Sequence, residues 1–351
     1  MEPVRIGIIG CGVIGRHHVK AGVKSDAVEL VAVADVVRER AEEVARANGI
    51  PHVFTNASDL IAHPDVEAVV LAMPAGVRFP LALEAFQQGK HVLVEKPVAL
   101  NAAQVEAMIA AKGDRVGACC SCRFRFYSSA RAAEDVIRSG ALGPLRTIHC
   151  RGISPAGPPP SAPPPSWRLS RAQNGGGILT NWGCYDLDYV LGITGWTLEP
   201  REVFAATWPV PAPLTSYVAP GSDAETHVVA LIRCASGAVI HLERAEYAIA
   251  PKAQVWQIIG EYGSLELQMT PGTGGQNRHY TLTRGTGTTS GVLWQGEESW
   301  DLSHALPIHD FALSIRNGTP PKTTLEQALI VQKITDAIYR SAAEGGAVAI
   351  A

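Results

Sequence analysis

The run Val4-Arg5-Ile6-Gly7-Ile8-Ile9-Gly10-Cys11-Gly12-Val13-Ile14-Gly15 restricts what this chain can fold into more than any other segment. Val4–Ile9 is an apolar stretch of strand length, and the glycines after it open a helix-like segment from Ile14 to about Val23. A second apolar run, Leu30–Ala34, ends in Asp35, twenty residues beyond Gly15. A Gly-x-Gly-x-x-Gly alone says little. Placed between a strand and a helix, with an acidic residue at the end of the next strand, it is a dinucleotide-binding fingerprint. Gly10 permits the tight turn, Gly12 lets the backbone approach a pyrophosphate, and Gly15 lets the helix pack closely on the strand. Cys11, Val13 and Ile14 complete the cradle, and the helix N-terminus offers its N–H groups to the phosphates. Asp35 is expected to accept hydrogen bonds from the ribose hydroxyls and to repel a 2′-phosphate, favouring NAD. Arg38, three residues on, softens that exclusion and keeps NADP open.

The alternation continues. Arg38–Asn48 reads as a charged-faced helix stopped by Gly49. Val66–Ala72, His91–Val94 and Arg115–Cys120 read as buried strands, with helices over Pro80–Gln88 and Ala102–Lys112. Uniformly apolar strands separated by helices indicate a parallel sheet covered on both faces, here a doubly wound α/β domain over residues 1–122. Beyond it, Leu145–Arg151, Val203–Thr207, Thr226–Cys234, Ala238–Glu246, Gln254–Gly260 and Ser264–Met269 are short, partly alternating runs, with Ala235-Ser236-Gly237 as a hairpin turn. They predict an α+β second domain over 123–351 with an open, mainly antiparallel sheet. The 351 residues give a prior of about two domains, in agreement. Pro155–Pro165, with seven prolines in eleven residues, is incompatible with a helix or central strand. It reads as a surface loop beside the active site, with a ligand for proline-binding domains as the alternative.

Charge and cysteine content narrow the partners. A formal charge of −3 offers neither a basic stripe for nucleic acid nor a polybasic patch for a membrane. No apolar stretch approaches the roughly 20 residues of a membrane span, and no secretory signal is laid out at the N-terminus. Seven cysteines, with Cys119, Cys120 and Cys122 in one short segment, form no disulfide framework and no zinc-spaced set, so a reducing cytoplasm and no metal are expected.

A buried strand ending in Glu95-Lys96-Pro97 resembles the Gfo/Idh/MocA oxidoreductases. So do Val116–Arg125, Gly175-Gly176-Gly177, Glu261–Glu266 and Phe311–Pro320, which follow in the same order. The resemblance spans nearly the whole chain. It implies a Rossmann domain that binds NAD or NADP through the glycine turn, Asp35, Arg38, Met73, Pro74, Glu95, Lys96 and Pro97. It also implies a second domain carrying the substrate site and an oligomer interface, hence a homodimer or homotetramer. The substrates it implies are sugars, inositols and related polyols. Lys96 would assist the proton that accompanies hydride transfer, and Pro97 would fix the turn, in either isomer.

After the triple glycine, the helical run from Ile178 places Asn181 and Tyr185 four residues apart on one face, with Asp188 further along. The family usually has Asp and His where Asn181 and Tyr185 stand. Tyr185 in that place is a variant compatible with catalysis. A phenol titrates near 10 when unperturbed, so it needs a cation, and Lys96 is the candidate. Arg123, Trp167, Arg168, Trp182 and His309 are further candidates for lining a sugar pocket. An oxidoreductase acting on a secondary alcohol or ketone is the leading expectation. NAD-assisted glycoside cleavage by transient oxidation and elimination, and a non-catalytic NAD-binding regulator, stand as alternatives.

Overall fold

The computed structural model describes residues 2–162, 164–271, 278–284 and 289–351, the side chains of 278–284 and 289 excepted. Two compact units result. One comprises the chain as far as Arg123 together with Asp301–Leu329, the other Phe124–Trp300 with Ile330–Ala351.

In the first unit strands and helices alternate: β1 (Val4–Ile9), α1 (Val13–Lys24), β2 (Val28–Ala34), α2 (Arg38–Asn48), β3 (His52–Phe54), α3 (Ala57–Ala62), β4 (Ala68–Leu71), α4 (Ala75–Gln87), β5 (His91–Val94), α5 (Ala102–Lys112) and β6 (Gly117–Cys119). All six strands are parallel, in the order β3-β2-β1-β4-β5-β6. The sequence expectation holds here apart from β3 and α3, short elements that it did not include. Gly49 stops α2 in the left-handed conformation at φ 68°, where a Cβ would be strained. α4 begins at Ala75, five residues before the expected Pro80, because Pro74 serves as its N-cap and Pro80 is accommodated within the helix.

The second unit contains α6 (Ser128–Arg138), β7 (Leu145–Pro155), the short α7 (Arg171–Asn174), α8 (Cys184–Ile193), β8 (Pro200–Trp208), β9 (His227–Cys234), β10 (Val239–Ala248), β11 (Ala253–Gly260), β12 (Gly263–Leu267), β13 (Arg278–Arg284) and β14 (Thr289–Gly296). Its sheet runs β14-β13-β12-β11-β7-β10-β9-β8-β15, where β15 is Val348–Ala349. Every described pairing is antiparallel except β7 with β10. Alternation along the strands sends Ile148, Cys150, Ile240, Leu242, Trp256 and Ile258 into one core with Leu187 and Leu191 of α8. The opposite face presents Phe204 and Leu231, a register pair, to solvent. Between Pro155 and Ser166 the described residues form neither helix nor strand, and Pro163 of the proline-rich segment lies outside the described residues.

Two long helices close the chain, α9 (Trp300–Asn317) and α10 (Leu325–Glu344). The expected division at residue 122, with everything after it in the second domain, requires correction for residues 301–329. Ile308, Phe311 and Ala312 of α9 join the first unit's core beside Val4, Ile6 and Ile8, and Leu325 and Ala328 join Val92 and Val94. An apolar helical stripe is buried by whichever sheet offers a complementary face, and local sequence does not say which. Among the described residues no helix is long and apolar enough to cross a membrane.

Candidate active site

The strand register lines up the site in the first unit. Phe54, Ala34, Ile9, Leu71, Val94 and Cys119 form one row of paired residues across all six strands. Each strand therefore ends at the same level, and Gly10, Asp35, Met73-Pro74 and Glu95-Lys96-Pro97 leave the same edge. β1 and β4 are neighbours although β2 and β3 intervene in sequence. In open α/β sheets ligands bind at the carboxyl ends of strands, where the strand order reverses in this way.

The three glycines act as their positions suggest. Gly10 has φ +97°, and a Cβ there would lie 2.5 Å from the Ala72 carbonyl oxygen. A Cβ on Gly15 would lie 1.8 Å from the Gly10 carbonyl oxygen, so α1 can sit this close to the turn only with glycine. A Cβ on Gly12 would meet nothing within 4 Å. Gly12 is also the N-cap of α1 and supplies no side-chain cap, leaving the helix's positive end suited to an anion. This arrangement fits the pyrophosphate of a dinucleotide.

Asp35 is nearly buried. Its Oδ2 accepts from the Cys11 N–H at 2.8 Å and its Oδ1 from the Val37 N–H at 2.9 Å. The arginine beside it is Arg40, whose Nη1 stands 3.3 Å and 3.4 Å from the two carboxylate oxygens. From the sequence, Arg38 is the residue expected to soften the exclusion of a 2′-phosphate. The structure instead pairs Arg38 with Glu42 on the exposed face of α2, because helix geometry turns Arg38 away and brings Arg40 round.

At the end of β5, Lys96 and Pro97 are joined by a cis peptide bond, and Lys96 is half-buried. Two buried arginines hold this turn. Arg78 of α4 donates to the carbonyl oxygens of Met73, Glu95 and Pro97, tying the β4 and β5 turns together. Arg123 donates to Glu95 Oε1, which also lies 2.7 Å from His18 Nε2, while the Lys96 N–H donates to Glu95 Oε2 at 3.1 Å. Burial raises the Glu95 carboxyl, but Arg123, His18 and Lys96 together overcome it and hold the group well below the usual carboxylate range. Arg123, expected near substrate, is thus committed to Glu95 and belongs to the first unit. Arg78 escaped the sequence reading. A lone arginine inside the otherwise apolar run Ala75–Leu83 was the available signal.

In the second unit the segment after the triple glycine starts as a π-helical turn, Leu179–Gly183, and becomes regular only at Cys184. Such turns are rare and concentrate at functional sites. The glycines are explained by close approach. A Cβ on Gly177 would lie 1.8 Å from the Glu225 carbonyl oxygen, and one on Gly176 1.8 Å from Tyr339 Oη. The buried Glu225 carboxylate accepts from the N–H groups of Gly177 and Leu179 and from Tyr339 Oη, fixing the start of the helix.

Tyr185 is 4% exposed and lies edge-on to Phe124 at 5.1 Å and to Trp182 at 5.7 Å. Asn181 and Trp182 are half-buried one turn before it. Its neighbours Asp186 and Asp188 are fully buried and fully engaged. Arg244 grips Asp186 through Nε and Nη2, with Trp256 Nε1 donating at 2.8 Å, and Arg125 Nε donates to Asp188 at 2.6 Å. Asp188 is therefore a structural partner of Arg125. Arg244 also stands over the Trp182 ring, 5.2 Å from its centroid. Trp167 is exposed, and Arg168 pairs with Glu246.

His309 requires correction. It lies in the first unit with Nδ1 2.8 Å from Ser25 Oγ, in the turn that leads into β2. That is the amino end of the parallel strands, opposite the glycine turn, so it cannot share that site. α9 returning to the first unit takes it there.

Sequence comparison identifies the protein's relatives. Residues 4–120 match the oxidoreductase family with an NAD-binding Rossmann fold, and residues 130–266 match the GFO/IDH/MocA C-terminal domain. The chain belongs to the Gfo/Idh/MocA oxidoreductase family. It is 26% identical over 325 residues to a myo-inositol 2-dehydrogenase of Thermotoga maritima, covering 92% of this chain and 91% of that protein. Among solved structures, an aldose-aldose oxidoreductase from Caulobacter crescentus complexed with glycerol superposes with a TM-score of 0.82 at 25% identity, covering 99% of this chain and all of that one. A levoglucosan dehydrogenase in complex with NADH and L-sorbose superposes with a TM-score of 0.85 at 21% identity over the full length of both. This Gfo/Idh/MocA protein is accordingly an NAD-binding oxidoreductase.

Proposed function

We propose that the protein interconverts a secondary alcohol and a ketone on a sugar, inositol or related polyol, with Lys96 and Tyr185 managing the proton. The observation that carries this reading is the single row of strand ends that delivers the glycine turn, Asp35 and Glu95-Lys96-Pro97 to one edge, in a chain whose relatives include inositol and sugar dehydrogenases. Bound NAD supplies the hydride acceptor, and NADH the donor in the reverse direction.

The chain's own groups would divide the remaining work. The α1 N-terminus and Asp35 hold the pyrophosphate and the ribose. The ammonium of Lys96 stabilises negative charge on the reacting oxygen, at a turn that Arg78 and Glu95 keep rigid. Tyr185 takes the hydroxyl proton as the phenolate during oxidation, becoming the phenol, and during reduction the phenol gives that proton to the carbonyl oxygen. Asn181 hydrogen-bonds a substrate hydroxyl without adding charge, and Trp182, with Trp167 and Arg168, lines the sugar. Copies of the chain would associate through the outer sheet face that carries Phe204 and Leu231.

The test is turnover against a panel of inositols and sugars, followed by NADH absorbance, for the wild type, Lys96→Ala and Tyr185→Phe. Each variant is expected to lose at least a hundredfold in kcat while NADH affinity stays within about threefold, the range for a lost acid–base group. Unchanged kcat in both would reject the assignment. Consumption of a glycoside without net NADH would replace it with elimination chemistry.

A further inference from the structure

Two clusters in the first unit bring together three potential metal ligands: His18, Glu95 and Cys120, and His52, His63 and Asp65. The first is no metal site. Its carboxylate is already shared by His18, Arg123 and the Lys96 N–H, and burial pushes the Cys120 thiol well above its ordinary pKa, away from the thiolate a metal needs.

The second is different, and we infer that His52, His63 and Asp65 form a binding site for one divalent transition-metal ion of the zinc, cobalt or nickel type. His52 opens β3, His63 is the C-cap of α3, and Asp65 follows across Pro64. Asp65 Oδ2 is 3.6 Å from His52 Nε2 and 3.9 Å from His63 Nδ1, and one donor atom from each residue lies within 4.8 Å of the other two. Metal–ligand bonds of about 2.0–2.2 Å in a tetrahedron place ligand atoms about 3.3 Å apart. The cluster is within a small side-chain rotation of that geometry, and His52 and Asp65 are exposed enough to make it.

The two imidazole rings lie tilted at 41° to each other with centroids 4.2 Å apart. A metal at this position gives both nitrogen lone pairs a common partner. The one hydrogen bond such an ion would displace, from the Asp65 N–H to His63 Nδ1, is long at 3.3 Å. The carbonyl end of α3 at His63 adds a favourable field for a cation. The Lys90 ammonium, the nearby competing charge, is held by the carbonyl oxygens of His63 and Val66. Two imidazoles and a carboxylate suit a borderline ion and not calcium or magnesium, which take oxygen ligands. Solvent would fill the fourth position, on the side where Asp65 is exposed.

Such an ion would staple the edge strand β3 to the α3–β4 connection. β3 ends at Phe54, whose carbonyl oxygen accepts the Asp35 N–H at 3.2 Å, so the staple would lie behind the ribose carboxylate and act on stability, not on hydride transfer.

The experiment uses the full-length protein without a histidine tag, stripped with EDTA. Titration with Co²⁺ is expected to give one saturating equivalent with the intense visible bands of tetrahedral coordination, displaced by Zn²⁺. Zn²⁺ at a hundredfold excess over Kd should raise Tm by roughly 5 °C, and Mg²⁺ should not. His52→Asn and His63→Asn should each weaken Co²⁺ binding at least tenfold. The wild-type titration stands by itself if a variant fails to fold. Absence of a saturable tetrahedral spectrum in the wild type, or binding unchanged in both folded variants, would overturn the inference.

Discussion

Gly12 and Gly15 make separable predictions although they are three residues apart in one turn. In Gly15→Ala the new methyl would lie 1.8 Å from the Gly10 carbonyl oxygen, where ordinary contact begins near 3.4 Å. The obstacle is backbone, so α1 must withdraw by about 1.5 Å. Overpacking of this kind costs roughly 1–3 kcal/mol, which lowers Tm by roughly 3–10 °C for a unit of this size. The same withdrawal moves the helix N-terminus away from the phosphates. Displacements near 1 Å at a site cost up to about a hundredfold, so the Kd for NADH should rise between tenfold and a hundredfold. In Gly12→Ala the methyl meets nothing within 4 Å, and the backbone there, φ −72° and ψ −164°, suits any residue. Its Tm should stay within about 1 °C of the wild type while NADH binding weakens at least tenfold, because the open space is where a pyrophosphate would lie. Calorimetry and fluorescence titration with NADH on both variants decide the matter. Gly12→Ala that binds NADH like the wild type would refute the placement of the cofactor, and Gly15→Ala with unchanged Tm would refute the packing argument.

Three other outcomes follow from the same geometry. His91 Nδ1 accepts from the Val116 N–H at 2.8 Å, and burial, then Arg115, push its pKa down to about 4. The unfolded chain binds this proton near pH 6.5, so its stabilising share is complete above that value and fades as pH falls toward 4. His91→Gln should flatten the Tm–pH curve across that window, and equal slopes would contradict this. Asp186→Ala strands the buried Arg244, a loss of about 3–5 kcal/mol that should lower Tm by roughly 10 °C; a drop below about 2 °C would show that the pair is dispensable. Asp35→Ser releases Arg40 and removes the charge facing a 2′-phosphate. The ratio of kcat/KM for NADPH to that for NADH should rise at least tenfold, and an unmoved ratio would show that the Asp35–Arg40 pair does not read that position.

Local pattern determined a great deal. The uniformly apolar runs, the helix between each pair and the turn glycines specify a parallel sheet, because strands buried on both faces must be apolar throughout and crossovers must be helical. The fingerprint from Gly10 to Asp35 was legible for the same reason: each of its residues answers to a backbone constraint only a few bonds away. The Glu95-Lys96-Pro97 turn and the triple glycine were legible as resemblance, and the structure adds why the latter is glycine, since Glu225 and Tyr339 approach too closely for a Cβ.

What local pattern left undecided has one physical cause: partners far apart in sequence leave no periodic trace. Arg78 reaches the carbonyl oxygens on both sides of the Lys96–Pro97 bond, Arg123 turns to Glu95, and Arg244 crosses 58 residues to Asp186. The departure of α9 from the second domain carried His309 to the far end of the strands. His52 and His63 have no recognisable ligand spacing, and only the packing of α3 brings them to Asp65. Sequence alone determined the buried central strands and the cofactor turn, since these follow from burial and backbone freedom along the chain, but not the short or outlying strands β3, β13, β14 and β15. Tertiary structure alone chose the partner of each buried charge, because a charge withdrawn from water takes whichever counter-charge the packed fold places beside it.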